Sequence, residues 1–225
     1  MNNNGQQRTY TPDKCAVFRV TTAQYGGLSN MAGGFPLLVN GTTVWSSEAL
    51  YQACRFPLRP DIQKIVLAER SAMTAKMKSK KYRQEHTRLD WEGIKVKLMR
   101  WCLRVKLAQN WERFGEILHS TGDRPIVEES RKDDFWGAKR SEDGKLVGRN
   151  VLGRLLMELR QELASPNSEC LRSVPVPDIP NFFLLGQSIR VINPGPVHPE
   201  ELKRGAVSVK SPSEKDSSQS LWLIR

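Results

Sequence analysis

Several common signatures are missing from this 225-residue chain, and each absence removes a class of function. No apolar run approaches the roughly 18 residues needed to cross a bilayer, and the opening MNNNGQQRTYTPDK has no apolar signal region. A cytoplasmic protein with no membrane attachment is the expectation. The four cysteines, Cys15, Cys54, Cys102 and Cys170, lie 39, 48 and 68 positions apart, and the three histidines, His86, His119 and His198, are scattered. That spacing signals neither a disulfide framework nor a metal site. G-x-x-x-x-G-K-S/T, G-x-G-x-x-G and G-x-S-x-G are all absent, so P-loop, dinucleotide and serine-hydrolase chemistry is not signalled. No internal repeat is present.

Positive charge is abundant. The chain holds 35 Lys plus Arg against 24 Asp plus Glu, a formal charge of +11. Residues 166–225 carry 7 basic and 6 acidic groups, so the excess belongs to the first 165 residues. Positions 76–106 alone hold eleven basic residues, including Lys76, Lys78, Lys95, Arg100, Arg104 and Lys106, against three acidic ones. Such a stretch is either a phosphate-attracting face or a solvated helix surface.

Local patterns outline a mixed domain. AVFRV at 16–20 reads as a strand and YGGLSNMAGG at 25–34 as a Gly-rich loop. FPLLV, Asn40-Gly41 and TTVWS form a hairpin signal, because Asn-Gly supplies the two positive φ angles of a type I′ turn. Ser46 is placed to cap a helix whose apolar stripe is Ala49, Leu50, Ala53 and Cys54, with Glu48, Gln52 and Arg55 on the other side and Pro57 ending it. A helix over 61–70 and a basic helical or turn segment from Met73 to Lys80 follow. Ile94, Leu98, Trp101 and Val105 step by four, three and four, an amphipathic helix capped by Asp90, with Lys95, Arg100 and Arg104 off the stripe. Another helix, capped by Asn110, carries Trp111, Phe114, Ile117 and Leu118; IVEES from Ile126 is a strand. Asn150 is placed to cap a last helix with Val151, Leu152, Leu155, Leu156, Leu159 and Leu163 inward.

The expected organisation is a flexible lead-in over 1–15, a domain over 16–165, and an extension over 166–225 holding 8 of the 13 prolines. Within that extension Phe182–Ile192 is apolar enough to dock, while VSVKSPSEKDSSQS has a disordered composition.

Four polar clusters exceed what helices and strands require: Leu28-Ser29-Asn30; Ser47-Glu48 with Gln52 and Arg55; Ala75-Lys76; and Asp133-Asp134-Phe135-Trp136-Gly137 with Gly148 to Gly153. Singly, each has a structural account. Glu48 in a first turn complements the helix dipole, Asp133 and Asp134 suit turns, and Trp136 suits a core. Taken together and in order, LSNM, SSEALYQACRF, AMTAKMKSK, IKVKLMRWCLRVKLAQN, TGDRPIVEESRKDDFWG and GRNVLGRLLMELR resemble the NADAR, or YbiA-like, family over about residues 16–163. Met31 departs from the aromatic that often closes the first motif, and Arg55 from the more usual Lys; a guanidinium keeps the charge but is no amine nucleophile.

The resemblance implies an α+β fold, helix-rich with a small, mostly antiparallel sheet, and an N-glycosidase acting where a nucleobase or similar amine joins a phosphorylated ribose. Two substrates are implied: ADP-ribose on guanine in DNA, with a DNA ADP-ribosyltransferase toxin as functional counterpart, or phosphoribosylated riboflavin-pathway intermediates. The basic stretch leans toward DNA. A non-catalytic module binding ADP-ribose or nucleic acid is the rival class. By resemblance Glu48 and Asp133 are the carboxylates that stabilise the sugar cation or activate water. Lys76 binds phosphate or ribose, or attacks an opened sugar as a Schiff base. Ser29, Asn30, Gln52, Arg55, Lys78, Trp136, Gly137 and Asn150 bind substrate, Lys95, Arg100 and Arg104 form a nucleic-acid face, and no metal or other cofactor is called for.

Overall fold

The computed structural model describes residues 6–194. VSVKSPSEKDSSQS lies outside the described residues. In chain order the strands are β1 (Arg8–Tyr10), β2 (Ala16–Phe18), β3 (Leu37–Val39), β4 (Thr42–Val44), β5 (Ile126–Glu128), β6 (Lys139–Arg140), β7 (Leu146–Gly148), β8 (Phe183–Leu184) and β9 (Gln187–Ser188). The helices are α1 (Ser47–Ala53), α2 (Pro60–Leu67), α3 (Ala72–Lys80), α4 (Arg83–His86), α5 (Trp91–Gln109), α6 (Trp111–Ser120) and α7 (Val151–Leu163).

The architecture is α+β, with short strands gathered into several small sheets in place of one. An antiparallel sheet runs β1-β7-β6, β2 pairs parallel with β5, and β3-β4 and β8-β9 are hairpins. Asn40 and Gly41 take φ of 48° and 74°, which is what the β3-β4 turn required. The long helix α5 buries Leu98, Trp101 and Val105 along the stripe its spacing dictates. It packs against α1, α6 and α7.

Three expectations change. Arg8–Tyr10, expected in a flexible lead-in, are an edge strand paired in register with Gly148 to Leu146. The extension is built into the core as far as it is described: Leu171, Val174, Ile179, Phe182, Leu184, Ile189 and Ile192 all join the main apolar cluster. Finally, Asp90 and Asn110 start their helices without a side-chain capping bond; Asp90 pairs with Arg88, and Asn110 Nδ2 donates to Pro36 O and Lys106 O. Ser46 does cap α1, its Oγ accepting the Ala49 N–H.

Candidate active site

A cavity of about 410 Å³ opens between α1, α3, the start of α5, the end of β5 and the loop that follows β5. Glu48, in the first turn of α1, points into it with only 7% of its side chain exposed. Its Oε1 accepts the Gln52 Nε2–H at 2.8 Å, and Lys76 Nζ from α3 stands 3.9 Å away. The Lys76 side chain is 48% exposed, so its amine is hydrated.

The loop before β3 is stitched to α1, since the Glu48 N–H donates to Asn30 O. That places Asn30 in the cavity wall, where Nδ2 donates to Met99 Sδ and Oδ1 is buried without a partner. Such an acceptor suits a substrate hydroxyl. Behind the loop, the fully buried Lys106 ammonium donates to Gly27 O and Ser29 O and lies 4.4 Å from the ring centroids of Phe35 and Phe114. Burial, with Arg113 nearby, pushes its pKa down to about 7. Lys106 therefore leaves the basic surface counted from the sequence and becomes an internal clasp.

The opposite wall is the loop after β5. Asp133 Oδ1 accepts the N–H groups of Phe135 and Trp136, both at 2.9 Å, which folds the loop back and leaves Oδ2 without a protein partner among the described residues. Trp136 stands edge-on to Tyr51 and Phe135, and Tyr51 packs against Trp91, giving a cavity lined by aromatic faces and edges.

Glu128 enters as a site residue that the sequence reading passed over. It closes β5, the C-terminal end of a parallel strand, where open α/β crevices form. Burial, then the neighbouring charges of Asp133 and Glu48, raise its pKa to about 7, partly offset by Lys76. The signal was available: a carboxylate at a strand end five residues before Asp133. Tyr51, Arg83 and Trp91 also line the cavity unforeseen.

Of the expected residues, Glu48, Lys76, Asp133, Asn30, Gln52, Arg55, Trp136 and Lys95 meet around this cavity. Six do not line it. Ser29 spends its Oγ on the Met31 N–H. Lys78 is ion-paired with Glu69. Gly137 is a close-approach glycine, since a Cβ there would lie 2.6 Å from Glu128 O. Asn150, expected both as a cap and as a sugar ligand, is fully buried in a left-handed conformation; it donates to Ile126 O and accepts the Glu128 N–H, so its amide is consumed in holding β5.

The expected nucleic-acid face also divides. At 3.6 residues per turn, Arg100 and Arg104 lie about 140° and 180° around α5 from Lys95. Lys95 pairs with Glu92 and covers Phe135 at the cavity, whereas Arg100 and Arg104 pair with Glu158 and Glu162 of α7. Three side chains on two sides of a helix do not make one face.

Among the described residues, no helix is long and apolar enough to cross a membrane, and no group of three or more His, Cys, Asp or Glu is placed to hold a metal ion. The chain is 35% identical over 155 residues to the N-glycosidase YbiA of Escherichia coli, which covers 68% of this chain and 90% of that protein. It is 40% identical over 127 residues to a riboflavin biosynthesis protein of Vibrio vulnificus, 56% of this chain but only 33% of that longer one. The NMR structure of E. coli YbiA superposes with a TM-score of 0.56 at 36% identity, over 66% of this chain and 83% of that one. With the NADAR domain model matching residues 17–164, around a cavity whose walls come from that same span, the chain belongs to the NADAR family.

Proposed function

We propose that this protein is an N-glycosidase that hydrolyses the bond between an amine-bearing ring and a 5-phosphorylated ribose, with a free phosphoribosylated metabolite as substrate. The convergence of Glu48, Glu128 and Asp133 on one cavity, with Glu128 held near neutrality, carries the reading. Breaking a ribosyl C1–N bond leaves positive charge on the sugar and negative charge on the departing nitrogen. Glu48, beside Lys76 and Gln52, faces the sugar cation and the incoming water, while protonated Glu128 supplies the leaving nitrogen's proton. Asp133 holds the loop that carries Trp136, whose ring packs against the leaving ring. The relatives named N-glycosidases support the bond class. The metabolite is favoured over DNA because Lys106 is buried and Lys78, Arg88, Lys97, Arg100 and Arg104 are paired within the chain, which leaves little of the 76–106 charge for a polymer.

One observation favours the DNA reading. Lys80 lies one turn beyond Lys76 on the same face of α3, is exposed, and with Lys81 extends positive charge from the cavity rim. Incubation with phosphoribosylated riboflavin-pathway intermediates and, separately, with guanine-ADP-ribosylated oligonucleotide decides between them. Sugar phosphate is expected from the first. Release from the oligonucleotide alone transfers the function to DNA repair, and release from neither, with tight ADP-ribose binding, replaces the enzyme by a binding module. In the same assay, borohydride trapping distinguishes the roles of Lys76: a sugar adduct on its amine means an imine route, and unmodified protein means charge stabilisation.

The acid role of Glu128 has a pH signature. A group acting in its protonated form gives full activity below its pKa, so kcat/KM is expected to fall as pH rises through about 7. Glu128→Gln should remove that limb along with most of the activity, and a profile keeping the limb assigns it elsewhere. The same raised pKa means the unfolded chain releases this proton first. Stability contributed by the site is therefore present below the ordinary carboxylate range and declines as pH rises toward 7.

A further inference from the structure

The cavity also holds two guanidinium groups, Arg55 and Arg83, that form no ion pair among the described residues, although the charges of Glu48 and Glu92 act on Arg55 from a distance. Arg55 lies two residues beyond the end of α1, and its guanidinium carbon sits 3.7 Å from the centroid of the Trp91 ring. Stacking occupies the flat face and leaves the in-plane N–H groups for hydrogen bonding. Arg83, opening α4, donates through Nη2 to Gln52 Oε1 and Ser79 Oγ, both at 3.1 Å. The Nε of each arginine is buried with no hydrogen-bond partner. The ion pairs recorded in this cavity belong to Lys76 with Glu48 and Lys95 with Glu92; among the described residues neither Arg55 nor Arg83 forms one. The two cations are close enough to disfavour each other, since burial and then the charge of Arg83 push the Arg55 pKa down to about 10. Adjacent like charges are costly, and a single oxyanion between them relieves that cost.

We propose that Arg55 and Arg83 form a clamp for the 5-phosphate of the ribosyl substrate, a role that rests on the N-glycosidase reading and adds the feature that selects its substrates. Two guanidinium groups lining one cavity suit a tetrahedral dianion better than a hydroxyl or an amide. The clamp is also wired to the reacting end. Gln52 Oε1 accepts from Arg83 and Ser79, which turns its Nε2 toward Glu48 Oε1. Phosphate binding thus fixes the amide that orients the carboxylate, and energy from a remote group is used at the bond being broken. A 5-phosphoryl group is present in free phosphoribosyl compounds as a terminal dianion and in ADP-ribose as one half of a pyrophosphate bridge with a single charge, so the clamp accepts both and favours the first.

Calorimetric titration of the full chain with ribose 5-phosphate, ADP-ribose and unphosphorylated ribose tests this. Wild type is expected to bind the two phosphorylated sugars at least ~100-fold more tightly than ribose, and Arg55→Gln or Arg83→Gln to lose about 10- to 100-fold of that while ribose binding stays unchanged. Arg55→Lys, which keeps the charge without the fork, should fall between them, and unfolding midpoints within a few degrees of wild type certify the variants. Equal binding of ribose and ribose 5-phosphate, or full affinity in both glutamine variants, overturns the clamp. Binding is read on products, so intact phosphate selectivity without turnover would refute the glycosidase reading and leave the clamp standing. Turnover that ignores both substitutions would do the reverse.

Discussion

Glu48→Gln is expected to lower turnover by about 10²- to 10⁴-fold while leaving the unfolding midpoint near that of the parent chain. The substitution keeps the shape, and the new amide oxygen still accepts the Gln52 bond that Glu48 Oε1 accepts now. What disappears is the negative charge, in a nearly closed position with Lys76 Nζ at 3.9 Å. On the proposed mechanism, a cation forming on ribose C1 then meets a neutral amide, and water loses its base. Steady-state rates measured beside thermal unfolding separate this from collapse of the fold. Unchanged turnover would remove Glu48 from the chemistry and shift the burden to Asp133.

Gly153→Ala is expected to be the most damaging small substitution for stability. A Cβ at Gly153 would lie 2.1 Å from Ile126 O and 2.5 Å from the Asn150 side-chain amide. Neither neighbour can yield cheaply, because Ile126 is in β5 and the Asn150 amide bridges Ile126 O and the Glu128 N–H. Helix α7 must move off β5, adding overpacking strain of about 1–3 kcal/mol to the loss of buried hydrogen bonds worth roughly 1–3 kcal/mol. At about 2–4 °C per kcal/mol for a chain of this size, the midpoint should drop by roughly 10 °C. Because the same displacement shifts Glu128, the pH limb near 7 should weaken in the molecules that remain folded. A midpoint within 2 °C of wild type, roughly one kcal/mol, would mean that α7 and β5 are far less tightly joined than their contact implies.

The two substitutions mark what a sequence can and cannot disclose. Glu48 was legible because its neighbours form a local pattern: a capping serine, an apolar stripe on one side, and Glu48, Gln52 and Arg55 left on the other. The Asn40-Gly41 turn and the stripes of α5 and α7 were legible for the same reason, since period and turn chemistry are properties of short segments. Asn150 looked like a helix cap, and only its bonds to residues 22 and 24 positions earlier reveal a buried brace. Lys106 was counted as surface charge, although its ammonium clasps carbonyls 77 and 79 residues away. Arg100 and Arg104 found acids 58 residues on. Charge summed along a chain says nothing about which charges cancel after folding, so the basic stretch by itself does not favour a polymeric substrate. Glu128 was passed over despite its place at the end of a strand, whereas Arg83 was missed because its importance lies in which cavity wall it shares.

The strand at Arg8–Tyr10 and the segment from Leu171 to Ile192 both fall outside the span shared with the family, yet neither is ornamental. The first pairs with β7, immediately before the Asn150 brace. The second presents the Phe182 ring edge-on to Trp101, and the side-chain amide of Gln63 closes on Phe183 O and the Leu185 N–H. Kinship and autonomy therefore have different borders in this molecule. A fragment trimmed to residues 17–164 would keep every residue that lines the cavity, but it would bare the apolar flank of α5 and leave the Gln63 amide without two of its partners. What descent marks as one module is, for folding, an incomplete object.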